Sequence, residues 1–147
     1  MSDATILVPT YRHPTFLPFA LRSALAQEDA EIEVFVVGDG VEDDTRLALQ
    51  PFLTDSRVRF FDRPKGQRHG EQLRHEALQE SSSTVVCYLC DDDLLLPGHV
   101  RRALELLQHA DLVTDLPANV WPDGSVHYFA FDLARSEFVR LDRKSVV

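Results

Sequence analysis

The sequence predicts an α/β fold, with a mostly parallel sheet held between helices in a three-layer α/β/α arrangement. Short runs rich in Val, Ile and Leu recur along the chain. They are nearly continuous rather than strictly alternating, which marks strands buried on both faces. Segments with helical periodicity separate them. The resulting order, β-α-β-α-β-α-β-α-β, is that of a parallel sheet with right-handed crossovers.

Thr5 to Val8 is the first such run, and Pro9, Thr10 and Tyr11 close it. Pro14 and Pro18 suit a loop and a helix start. Leu17, Ala20, Leu21, Ala24 and Leu25 then recur with helical spacing, giving one apolar stripe. Val34 to Val37 is a second buried strand, ended by Gly38-Asp39-Gly40. Two glycines around an aspartate permit a tight turn and the close approach of a ligand. Asp43 or Asp44 is placed to cap a short helix reaching about Phe52. Arg57 to Phe61 reads as a third strand, and Gly70 opens a helix with Leu73, Ala77 and Leu78 toward the core.

Thr84 to Cys90 is the most continuous run, predicting a strand buried on both faces. Asp91, Asp92 and Asp93 follow at its C-terminal end, and Pro97 is expected in the first turn of the next helix. Val100, Ala103, Leu104 and Leu107 mark that helix, and Leu112-Val113 begins a fifth strand. Trp121-Pro122-Asp123-Gly124-Ser125 is a hairpin turn signal. Beyond Phe131 the sequence is charged and weakly periodic.

The chain has 147 residues, 44% of them apolar and 27% charged, ordinary for a soluble domain with a real core. Its net charge is −9, from 24 acidic against 15 basic residues. That balance argues against general binding to nucleic acid or anionic membranes. No apolar run approaches membrane-spanning length and no signal peptide is visible, so a cytoplasmic location is expected. Cys87 and Cys90 have an odd separation that points strand side chains to opposite faces, and they read as buried thiols rather than a metal pair.

Consecutive carboxylates beside a buried strand repel one another and lose hydration, so they call for a positive partner. A divalent cation is one solution, because hard cations take carboxylate oxygens. A solvated acidic turn is the other. Ligands in open α/β sheets collect at the carboxyl ends of strands, where Asp91 to Asp93 are predicted to lie. From Arg57 to Arg74 the chain carries six basic residues against two acidic ones, the one stretch suited to an anion. The six histidines form no tight ligand pair within a motif.

Taken in order, these motifs resemble the nucleotide-binding half of inverting family 2 glycosyltransferases with the Rossmann-like GT-A fold. The resemblance spans about Ala4 to Thr114. It rests on TILVPTYRHPTFLPFALRSALAQ, on VFVVGDGVEDDT, on Gly70 through Ala77 with Arg74, and on the aspartate triplet followed by Pro97. It implies that Pro9 and Tyr11 border the base, with the Tyr11 ring available for stacking, and that Asp39 accepts a hydrogen bond from the base. It further implies that Arg74 helps hold the base or diphosphate, that Asp91 lies near the ribose, and that Asp92, then Asp93, binds Mg²⁺ or Mn²⁺.

The sequence departs from the family pattern where Gly38 replaces the first Asp of a usual pair and where Cys90 stands at the first position of Asp-x-Asp. The implied donor is a nucleoside-diphosphate sugar, with UDP, dTDP and GDP forms all open and the acceptor unknown. Residues 1–114 are expected to form the nucleotide-sugar-binding core. Residues 115–147 are expected to form a hairpin and tail leading toward an acceptor-binding half that the chain lacks, leaving the sheet incomplete. Asp115, Asp123 and Asp132 are the nearby downstream carboxylates, and none is assigned as general base. Apolar residues after Trp121 suit packing on that missing half or on a second copy in a homo-oligomer. The competing readings are a catalytically silent nucleotide-sugar-binding module or fragment, and a nucleotidyltransferase. The latter is disfavoured because VPTYRHPTF has no Gly-rich phosphate loop.

Overall fold

The structure, a computed structural model, describes residues 1–128. Asp132 and the charged tail lie outside the described residues. The chain forms two compact units, divided between His109 and Ala110.

The first unit is built on a four-stranded sheet with the order β3-β2-β1-β4. Its strands are β1 (Ala4–Thr10), β2 (Ile32–Asp39), β3 (Val58–Arg63) and β4 (Val86–Tyr88). All three pairings are parallel. The helices are α1 (Leu17–Leu25), α2 (Asp43–Leu49), α3 (Glu71–Leu78) and α4 (His99–Leu107).

Alternation along the strands sorts the core into two layers. Ile6, Val8, Val34 and Val36 point to one face, where Leu21 of α1, Leu49 of α2 and Val100 of α4 cover them. Leu7, Phe35, Val37 and Phe61 point to the other, under Leu73, Ala77 and Leu78 of α3. Helices on both sides of a parallel sheet give the expected three layers, and β1 and β2 are buried along nearly their whole length.

The structure corrects several boundaries. The strand expected over Thr84 to Cys90 is only Val86–Tyr88, and it is not buried on both faces. Cys87 is buried, whereas Val86 and Tyr88 are exposed. The reason is coverage, since the apolar residues of α3 pack over β1, β2 and β3. Pro97 precedes α4 rather than opening its first turn, with Gly98 at the cap position. Neither Asp43 nor Asp44 is the cap of α2; both lie in its first turn after Glu42, and the chain continues as a 3₁₀ turn over Gln50–Thr54.

Leu112-Val113 forms no strand. The next strands are β5 (Ala118–Val120) and β6 (Val126–Tyr128), an antiparallel hairpin across the expected turn. Among the described residues, no helix is long and apolar enough to cross a membrane.

Candidate functional site

The connections fix where a ligand can bind. From β1 the chain steps outward to β2 and β3, then returns to the opposite side of β1 for β4. The crevice outside the carboxyl ends of β1 and β4 is therefore the topological switch point, the usual ligand position in such sheets. Neighbouring strands lie about 4.8 Å apart, so the ends of β2 and β4, which flank β1, are separated by about 10 Å.

The first cluster sits at the end of β2. Asp39 is its last residue and is 6% exposed. Its Oδ2 accepts a hydrogen bond from Lys65 Nζ at 2.6 Å, and its Oδ1 accepts one from the Gly66 N–H at 2.6 Å. Three glycines allow this close packing. A Cβ on Gly40 would lie 2.8 Å from Lys65 Cβ, one on Gly66 would lie 3.2 Å from Leu73 Cδ1, and one on Gly70 would lie 2.9 Å from Asp39 Cγ.

Burial alone would raise the Asp39 pKa. The Lys65 and Gly66 hydrogen bonds, with the charges of Lys65 and Arg74, outweigh it and hold the carboxyl below its ordinary range. Lys65 Nζ also lies 3.7 Å from the centre of the Tyr11 ring, and the Arg12 guanidinium lies 4.7 Å from it. Arg74 acts on Asp39 through its charge, while its guanidinium donates to the His69 carbonyl. Pro9 is half-buried in β1, beyond Leu7, where the ladder to β4 stops.

The second cluster sits at the end of β4. Asp91 is 7% exposed, and its Oδ1 lies 2.8 Å from His13 Nδ1 across the switch point. The hydrogen bond to Asp91, then the Asp91 charge, raises the His13 pKa against the opposing effect of desolvation, and Asp92 adds to the rise. Asp92 and Asp93 are exposed.

Among the described residues, two overlapping sets of donor atoms, each spanning no more than 4.8 Å, could hold a cation: His13, Asp91 and Asp92, or Cys90, Asp92 and Asp93. Asp92 belongs to both. A mainly carboxylate set fits Mg²⁺ or Mn²⁺, and an imidazole among the donors favours the softer ion. The Thr10 hydroxyl, at the tip of β1, is buried without a hydrogen-bond partner, as expected of a group left for a ligand or a water.

The loop after β1 joins the two clusters, since Tyr11 meets Lys65 at one and His13 meets Asp91 at the other. Sequence reasoning missed both contacts. A lone histidine has no motif around it, and Lys65 was one of several basic residues in its stretch. That stretch is not a continuous anion site, because Arg57 pairs with Asp55, Arg59 with Glu80, and Lys65 with Asp39. Of the downstream carboxylates, Asp123 serves the hairpin turn, accepting the Ser125 N–H at 2.9 Å.

The profile of the family described as "Glycosyl transferase family 2" matches residues 5–138. A Campylobacter jejuni GalNAc(5)-diNAcBac-PP-undecaprenol beta-1,3-glucosyltransferase is 28% identical over 106 residues, covering 71% of this chain and 34% of that protein. The succinoglycan biosynthesis protein ExoO of Rhizobium meliloti is 32% identical over 103 residues, covering 70% of this chain and 29% of that protein. Two solved structures share the fold. S. aureus TarS 1-349 with UDP-GlcNAc matches at TM-score 0.65 and 20% identity, covering 72% of this chain and 31% of that one. The mannosyltransferase PcManGT from Pyrobaculum calidifontis, with GDP-Man and Mn²⁺, matches at TM-score 0.60 and 22% identity, covering 72% and 32%. The chain spans about a third of the length of the first two curated relatives it matches.

Proposed function

This chain belongs to glycosyl transferase family 2, and from that premise we propose that its strand-end site binds a nucleoside-diphosphate sugar for inverting transfer to an acceptor. Donor binding is the part proposed for these residues. Transfer is proposed for the whole protein, because the chain spans about a third of its relatives. The observation that carries the reading is the loop after β1, which reaches the Tyr11–Asp39 cluster at one end and Asp91 at the other. A nucleotide laid along that loop would meet an aromatic face and a hydrogen-bond acceptor at its base and the acidic turn at its phosphates. The nucleotide sugars in two solved fold relatives, UDP-GlcNAc and GDP-Man, support this class of donor.

Tyr11 would stack on the base with Pro9 beside it, and Asp39 would accept an N–H from the base. Arg74, close enough to lower the Asp39 pKa, would lend its planar cation to the base or diphosphate. Asp91, held by His13, would face the ribose. Asp92, with Asp93 or with the His13–Asp91 pair, would hold the divalent cation that such donors commonly require. Bound there, Mg²⁺ or Mn²⁺ supplies positive charge to the diphosphate leaving group. An inverting transfer also needs a base opposite the leaving group, and that role is left unassigned.

Isothermal titration with UDP, dTDP and GDP, with and without Mn²⁺, tests the reading. One nucleotide is expected to bind in a Mn²⁺-dependent manner, and Asp92→Ala is expected to abolish that metal-dependent binding with the thermal melt unchanged. Metal-independent binding, or no binding of any of the three, would count against it.

A further inference from the structure

Resting on the base subsite proposed above, we propose that Lys65 is a displaceable occupant of that subsite and so sets the affinity for the donor. One ammonium covers two of the groups assigned to the base, at 2.6 Å from Asp39 Oδ2 and 3.7 Å from the centre of the Tyr11 ring. Stacked aromatic rings have centres about 4.5 Å or more apart, so a base on that face needs the space Nζ fills.

The Lys65 backbone is anchored by contacts other than those of its ammonium. The Gly66 N–H is bonded to Asp39 Oδ1, and Gly40 packs too tightly against Lys65 to admit a Cβ. The side chain is 47% exposed, and its four-carbon stem is flexible. A base can therefore turn the ammonium out to water without moving the loop, and Asp39 keeps the Gly66 N–H throughout. An N–H of the entering base then replaces the donor that Asp39 has lost. Until it does, the subsite is competent only in the fraction of molecules whose Lys65 points away, and measured affinity is reduced by that fraction.

The test titrates wild type and Lys65→Met with the neutral nucleosides uridine, thymidine and guanosine, which separates the base from the phosphate charge. The best-bound nucleoside is expected to bind Lys65→Met about 3- to 10-fold more tightly, as for a subsite closed in most molecules. Equal or weaker binding by the variant would overturn the proposal while leaving the base subsite intact. No binding to either protein would sink the subsite reading and this inference with it. In the unaltered chain, acylation of Lys65 followed by mass spectrometry is expected to rise when the nucleoside diphosphate is added. An unchanged or falling rate would overturn displacement.

Discussion

Gly70→Ala asks whether Asp39 is held where the site needs it. Gly70 has φ +71 and ψ 24, just ahead of α3, and its missing Cβ faces Asp39 Cγ at 2.9 Å and Oδ2 at 3.1 Å. A side chain at left-handed φ costs about 1–2 kcal/mol, and forcing a methyl group into a packed contact adds about 1–3 kcal/mol. The expected destabilisation is about 2–5 kcal/mol. If Asp39 yields, the contact cost falls, but the Lys65 and Gly66 hydrogen bonds are strained and nucleotide affinity drops.

The assay is urea unfolding of the variant alongside Gly98→Ala, with nucleotide titration of both. Gly98 has φ −93, and its added Cβ would meet nothing nearer than Arg101 Nη2 at 3.6 Å. That change is expected to stay within about 0.5 kcal/mol. If Gly70→Ala were equally silent in both stability and binding, the account of how Asp39 is positioned would be wrong.

Glu33 gives a prediction at the opposite end of the sheet. Its Oε1 accepts bonds from Thr5 Oγ1 at 2.7 Å, the Ser82 N–H at 2.9 Å and the Ser82 hydroxyl at 3.2 Å. Burial would raise its pKa, but the bonds from Thr5, Ser82 and Ser81 outweigh that and lower it. Its stabilisation is therefore present above the unfolded value of about 4.3 and is lost as pH falls through the lowered folded value. Glu33→Gln is expected to cost about 1 kcal/mol at pH 7 and to flatten the acid limb of stability, and an unchanged acid limb would refute the assignment. His13 is expected to titrate above the ordinary histidine range by NMR, and Asp91→Asn to return it there. Because the folded value is raised, any stability from the pair is present below the unfolded value of about 6.5 and is lost as pH rises through the folded one. An ordinary pKa in the unaltered chain would refute the pairing.

Much of the fold was legible because its signals are local. Continuous apolar runs mark buried strands, and the stripe from Leu17 to Leu25 packs as its spacing predicts. The short fourth strand has a tertiary cause. Whether Val86 and Tyr88 are covered depends on which strands α3 packs against, and no periodicity within Thr84 to Cys90 encodes that.

The sequence by itself determined that Asp39 ends a strand, that the three aspartates follow another, and that glycines surround Asp39, because turn chemistry is written in neighbouring residues. Only the tertiary structure decided that β4 returns beside β1, bringing His13 to Asp91 across 78 positions of chain. It also decided that Lys65, rather than one of the arginines around it, sits on both Tyr11 and Asp39. Hydrogen bonds and cation–ring contacts act over a few ångströms, so they depend on how the strands are ordered in the sheet, and local patterns do not specify that order.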